Sequence, residues 1–103
     1  MDLSILWAAP AAEQFADQLD PIGGFNPEAA RGLRHRVDQG LRRLARFPDL
    51  GRWVPEFGAG CYREILVAPL RILYEFQGDR MVVTWVHRQE EALGPDSLER
   101  AEP

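Results

Sequence analysis

Apolar positions along the chain change their spacing twice, and each change marks a new kind of element. Leu3–Ala8 (LSILWA) is a short apolar run bounded by Pro10. It reads as a first strand, buried on both faces or nearly so, because Leu6 breaks a clean alternation. Ala12, Phe15, Ala16 and Leu19 then recur at helical spacing, with Pro10 placed where a first helical turn tolerates it. Pro21 and Gly23-Gly24 are expected to stop this helix after about three turns. Asn26-Pro27-Glu28 opens a second helix with an Asn cap, a proline at the first position and a carboxylate near the positive helix end. Ala30, Leu33, Val37, Leu41, Leu44 and Phe47 follow at three- and four-residue steps, predicting one long amphipathic helix that ends before Pro48. Gly32 and Gly40 each cost that helix roughly 1 kcal/mol relative to alanine, so tertiary packing has to hold it.

From Tyr62 the pattern turns to strands. Tyr62–Val67, Leu70–Phe76 and Met81–Val86 are β-rich runs separated by Ala68-Pro69 and by a turn centred on Gly78-Asp79. Runs this close together form an antiparallel meander, since parallel neighbours need a crossover of about a dozen residues. Gly78-Asp79 is a two-residue hairpin loop in which glycine accepts positive φ. Between helix and meander, Asp49–Gly60 is a glycine-rich loop whose Trp53, Val54 and Phe57 either tuck it onto the sheet or serve binding. The order is β-α-α-β-β-β. The fold class is therefore α+β, a two-helix layer packed on a small, mostly antiparallel sheet. A chain of 103 residues holds one domain, here 1–93, followed by an acidic, loosely ordered tail over 94–103.

Composition narrows the function classes. Hydrophobic residues at 46% and charged residues at 27% suit a soluble globular protein, and no apolar run approaches the ~20 residues that span a bilayer. Asp2 and Glu13 spoil a signal peptide, and a single cysteine, Cys61, excludes a disulfide framework, so a cytoplasmic protein is expected. Cys61 reads as a packing residue at a strand start or as a reactive thiol. No metal cluster, Ser-His-Asp set or glycine-rich phosphate loop is present, and no cofactor or membrane partner is expected. The net charge of −4 hides a division: residues 1–30 carry −5, 31–46 carry +5 and 89–103 carry −4. Every basic side chain is arginine, the residue that grips carboxylate or phosphate with two parallel hydrogen bonds. A pI near 5.1 argues against broad attraction to nucleic acid. Arg31, Arg34, Arg42, Arg43 and Arg46 lie mostly off the apolar stripe, as a solvated face or a nucleic-acid patch, with His35 among them at the surface.

The opening ILWAAPAAEQF, the helix ending LRRLARFPDLG and above all GCYREILVAPLRILYEFQGDRMVVTWVHR resemble the RelE/ParE superfamily of type II toxin–antitoxin toxins. The shared pattern is a Tyr-Arg pair, an apolar strand, a second Arg followed by Ile/Val-x-Tyr, a Gly-Asp hairpin and a last strand ending in His or Arg. It covers nearly the whole chain, to about residue 93. The resemblance implies functional basic residues on one concave sheet face and a cognate antitoxin that neutralises them, in a toxin–antitoxin hetero-oligomer. The implied target is DNA gyrase, inhibited by binding, or the ribosome and its mRNA, cleaved by an endoribonuclease. A toxin-like binding protein that has lost toxicity is a third reading.

Geometry bears on which arginines act together. A two-residue Gly78-Asp79 hairpin pairs Leu73 with Thr84 and Arg71 with Val86, which puts Arg71 and Arg88 on one face. Ile72, Tyr74, Phe76, Met81, Val83 and Trp85 then face the helices. Arg63 turns to the core if Ala68-Pro69 is a two-residue turn and joins Arg71 if the turn has three. Burying an unpaired arginine is expensive, so the second register is favoured. Arg63, Arg71 and Arg88 are accordingly the candidate target-binding or phosphate-clamping set; the alternative is three strand arginines paired with Glu64, Glu75 or Glu90. RNA cleavage needs a base for the 2′-hydroxyl, cations for the phosphate and an acid for the leaving oxygen. Ile65 stands at the second basic position of the family pattern, and no Tyr or His follows Arg88. His87 remains, and strand parity turns it toward Trp85. These departures sit better with gyrase inhibition than with a nuclease.

Overall fold

The computed structural model describes residues 2–58, 60 and 62–89. Cys61, Glu90 and the 94–103 tail, on which expectations were placed, lie outside them. Strand β1 (Ser4–Trp7) leads into α1 (Ala9–Phe25) and α2 (Pro27–Arg46), and a 3₁₀ turn (Pro48–Leu50) leads into β2 (Arg52–Trp53). The meander is β3 (Arg63–Val67), β4 (Leu70–Gln77) and β5 (Arg80–Arg88). The five strands lie in the order β1-β5-β4-β3-β2, with β1 parallel to β5 and every other pair antiparallel. Among the described residues no helix is long and apolar enough to cross a membrane.

Helix α1 runs on through Pro21, Gly23 and Gly24, past the stop expected there. Tertiary contact overrides the local preference. Ile22 packs against the core, and a Cβ placed on Gly23 would lie 3.7 Å from that of Ala30, so small residues let α1 and α2 close up. Asn26 alone joins the helices. Its N–H donates to Ile22 O at 2.7 Å, ending α1, and its Oδ1 accepts from Ala29 N–H at 3.1 Å, starting α2.

Both helices cover one side of the sheet. Ala11, Phe15 and Leu19 of α1 and Leu33, Val37, Leu41 and Leu44 of α2 pack on Leu70, Ile72, Tyr74, Met81, Val83 and Val86. Each fully buried large aliphatic side chain here contributes about 1.5–3 kcal/mol. Trp7 stacks on Phe15 with ring centroids 5.3 Å apart. The expectation that β1 is buried on both faces is corrected: Leu6 is 42% exposed, because none of the described elements covers the far side of this edge strand. Phe47 also departs from the predicted stripe, being the C-cap residue of α2 and exposed. Gly51 is buried beneath Tyr74, whose hydroxyl donates to Pro48 O at 3.1 Å; a Cβ on Gly51 would collide with that hydroxyl.

Register decides which side chains meet. The Gly78-Asp79 turn is as expected, with Gln77 opposite Arg80 and Gly78 at φ +65°. Pairing follows the predicted frame as far as Tyr74 opposite Val83, and then a bulge intervenes. Thr84 is the extra residue, its Oγ1 donating to Leu73 O at 3.3 Å, and beyond it Leu73 faces Trp85 and Arg71 faces His87. The slip exchanges faces. Trp85 and His87 move to the outer side, away from the helices, while Val86 and Arg88 take the helix side. The placement of Trp85 against the helices is thereby corrected. At the other hairpin Val67 pairs with Leu70, so Ala68-Pro69 is the two-residue turn and Arg63 falls opposite Tyr74.

Candidate functional site

The outer face of the sheet carries an ion cluster built on Arg71. Its Nε donates to Glu64 Oε1 at 2.8 Å, and Nη1 and Nη2 donate to the two oxygens of Glu56 at 2.7 and 2.9 Å. Glu64 lies diagonally across the β3–β4 pair from Arg71 and is wholly buried; its second oxygen accepts from Arg52 Nε at 2.7 Å. Hydrogen bonds donated to Glu56 push the Arg71 guanidinium further toward its charged form, burial opposes this, and Glu64 adds to it. Among the described residues, two arginines and two carboxylates thus form a neutral set, as burial of charge requires.

The segment that brings Glu56 here is pinned by a small second core. Val54 and Leu73 are buried, with Phe57, Tyr62 and Trp85 packed around them. Val54 N–H donates to Tyr62 O at 2.9 Å and Phe57 N–H to Val54 O at 3.1 Å. This meets the expectation that the loop aromatics tuck the loop down, with one change: Trp53 belongs to β2 and turns elsewhere. His87 lies opposite Arg71 and meets Trp85 edge-on at 5.5 Å. Among the described residues, Trp85 Nε1 is the buried side-chain polar atom without a hydrogen-bond partner.

The three candidate arginines do not share a face. Arg71 alone is on the outer side, and its fork is filled. Arg63 is on the helix side at the sheet edge, where it donates to Gly51 O at 2.7 Å, lies 3.6 Å from Asp49 and covers the Trp53 ring at 4.0 Å. Arg88 stands opposite Leu70, on the same side as Val86 and at the strand's exposed end. The single-face expectation is corrected by two register facts, the bulge at Thr84 and the short Ala68-Pro69 turn. The alternative reading, with strand arginines paired to Glu64, describes Arg71. Glu56 was missed altogether; no spacing signal in the glycine-rich loop marks it.

A second concave surface lies between β1, α1 and α2. Its volume is about 900 Å³; Ile5, Trp7, Phe15, Val37 and Leu41 line it, and Arg31, Arg34, His35, Asp38 and Arg42 border it. Arg34 sits over the Phe15 ring at 5.7 Å, and Arg42 pairs with Asp38 at 3.0 Å. Three of the helix arginines therefore rim an apolar groove. No group of three or more His, Cys, Asp and Glu side chains able to hold a metal occurs among the described residues.

A family model described as the ParE toxin of the type II toxin–antitoxin system parDE matches residues 5–93. No curated protein matches the chain. A solved chain from the chromosomal ParDE toxin–antitoxin system of P. aeruginosa superimposes with a TM-score of 0.69 at 19% identity, covering 85% of this chain and 97% of that one. At that identity the likeness speaks for the fold, two helices on a mixed sheet. The match over residues 5–93 takes in both helices, β2 to β5 and β1 from Ile5 onward, and on it the chain belongs to the ParE family of type II toxin–antitoxin toxins.

Proposed function

We propose that the chain is the toxin of a toxin–antitoxin pair and that it inhibits growth by binding its target, in the manner of a gyrase inhibitor, without cleaving RNA. The observation that carries this choice is the closed Arg71 fork: the one candidate cation on the outer face is engaged by Glu56 and Glu64. A nuclease needs cations that are available to a scissile phosphate as charge develops. Binding a protein target makes no such demand. The antitoxin fits the groove between β1, α1 and α2, where an amphipathic segment would cover Trp7, Phe15 and Leu41 and set its carboxylates against Arg31, Arg34 and Arg42.

One observation favours the RNA-cleaving alternative, the position of His87 directly opposite Arg71. Expression of the protein alone, with and without an antitoxin, reads growth arrest and its relief. Gyrase-dependent DNA damage in arrested cells supports the proposal. Ribosome-dependent cleavage of mRNA in a translation extract, lost in His87→Ala, supports the alternative, and unchanged growth supports a chain without toxicity.

A further inference from the structure

Phe25 ends α1 and is 95% exposed, the most exposed of the large apolar residues. A single exposed aromatic means little by itself, and it is the setting that gives this one a role. Phe25 stands at the outer tip of the α1–α2 hairpin, with Gly24 beside it and Pro21 and Pro27 on either side. The corner is stiff. Prolines fix φ, and Asn26 bonds back to Ile22 O and forward to Ala29 N–H. A projection already held in place loses little freedom when it binds. Its charged neighbours are acidic: Asp20 lies five residues before it and Glu28 three after, both exposed, and residues 1–30 contain no basic side chain.

The groove between β1, α1 and α2 is the converse surface. Trp7, Phe15, Val37 and Leu41 give it an apolar floor. Asp38 is set against Arg42 at 3.0 Å, so Arg31 and Arg34 leave the rim positive. We propose that tip and groove fit one another between two copies of this chain: Phe25 of one copy enters the groove of a second, and Asp20 and Glu28 meet Arg31 and Arg34 at the rim. At 95% exposure Phe25 does not enter the groove of its own chain. Reciprocal insertion about a two-fold axis uses both tips and both grooves, and so closes the pair as a dimer. The aromatic supplies the buried area, and the opposite charges set the orientation. The pairing goes beyond growth inhibition and does not rest on it. One consequence does rest on the proposed function: an antitoxin segment in the same groove has to displace the tip.

The test is sedimentation of the whole protein, without antitoxin, from micromolar to millimolar concentration. The unmutated chain should pass from monomer to dimer, and at lower concentration in low salt than in high salt. Phe25→Ala should weaken dimerisation by at least about tenfold, the loss expected of an interface anchor. Phe47→Ala removes another exposed aromatic, one outside the groove lining, and should leave dimerisation unchanged. Asp20→Arg and Arg31→Glu should each weaken it alone. An equimolar mixture of those two variants should dimerise better than either, because opposite charges then face each other again. The NMR signal of the Trp7 indole N–H should move with concentration in the unmutated chain and stay fixed in Phe25→Ala. A chain that is monomeric throughout overturns the proposal. So does a dimer that Phe25→Ala leaves intact, a mixture no better than its components, or a Trp7 signal that ignores dimerisation. Should Phe25→Ala fail to fold, the charge-exchange mixture and the Trp7 signal of the unmutated chain decide by the same outcomes.

Discussion

Replacing Arg71 with methionine removes the central cation of the outer-face cluster and leaves Glu64, at 0% exposure, inside the protein. Arg52 still reaches Glu64 at 2.7 Å, but it is 54% exposed and can turn to water. Breaking a buried ion pair from one side costs about 3–5 kcal/mol, because the remaining charge is stranded. A domain of this size has about 5–15 kcal/mol in total, so Arg71→Met should lower the melting temperature by roughly 12 °C or more. Glu64→Leu alone strands Arg71 in the same way, although Glu56 remains to hold it. With both replaced, neither charge is stranded, and Arg52 and Glu56 can hydrate where they emerge. Urea denaturation of the two single variants and the double variant gives the coupling directly. The double variant should be within about 1.5 kcal/mol of the unmutated protein, since apolar side chains of similar volume often substitute for a buried pair at little cost. A loss for Arg71→Met no larger than the roughly 0.5 kcal/mol of a surface change, or a double variant that loses the full sum of the singles, would refute the stranded-charge argument.

Gly51→Ala drives a Cβ into the Tyr74 ring, 2.6 Å from Cζ, so a loss of about 1–3 kcal/mol is expected, and an unshifted urea midpoint would contradict the packing described. Gly32→Ala meets nothing within 4 Å and should stabilise α2 by about 0.5–1 kcal/mol, read as a higher melting temperature. Gly40→Ala should gain less, because its Cβ would press on Ile65 Cδ1 at 3.0 Å; equal gains would show that α2 does not approach β3 so closely. Burial pushes the Tyr74 phenol above its ordinary value, against a downward pull from Arg63. The folded state therefore holds that proton more tightly than the unfolded one, and this stability is fully present below about pH 10 and lost as pH rises through the folded value. Denaturation midpoints from about pH 9 upward should fall less in Tyr74→Phe, and an identical fall in both proteins would count against it.

What could be read from the sequence is what depends on local spacing. Leu33, Val37, Leu41 and Leu44 mark the buried face of α2 because the helical repeat is a property of neighbouring residues. The Gly78-Asp79 turn is equally local. Nothing in MVVTWV announces an extra residue, yet the bulge at Thr84 carries Trp85 and His87 to one side and Arg88 to the other. The turn at Ala68-Pro69 misled for a different reason. The cost of a buried, unpaired cation argues for keeping Arg63 off the helix side, but Gly51, Asp49 and Trp53 take it up there. Those partners come from a segment whose path no periodicity encodes. Glu64 is legible as a partner for the strand arginines, since cross-strand neighbours follow from register. Glu56 reaches Arg71 from 15 residues upstream through glycine-rich chain, and only the tertiary fold brings them together.

The Thr84 bulge also separates position in an alignment from position in space. In a homologue of the same length whose last strand pairs without the bulge, the side chain written beneath His87 would look toward the helices, and the one beneath Arg88 would look away. Loss of the bulge at constant length could therefore trade chemistry between two surfaces in a single evolutionary step, with hardly a letter of the aligned sequence changing.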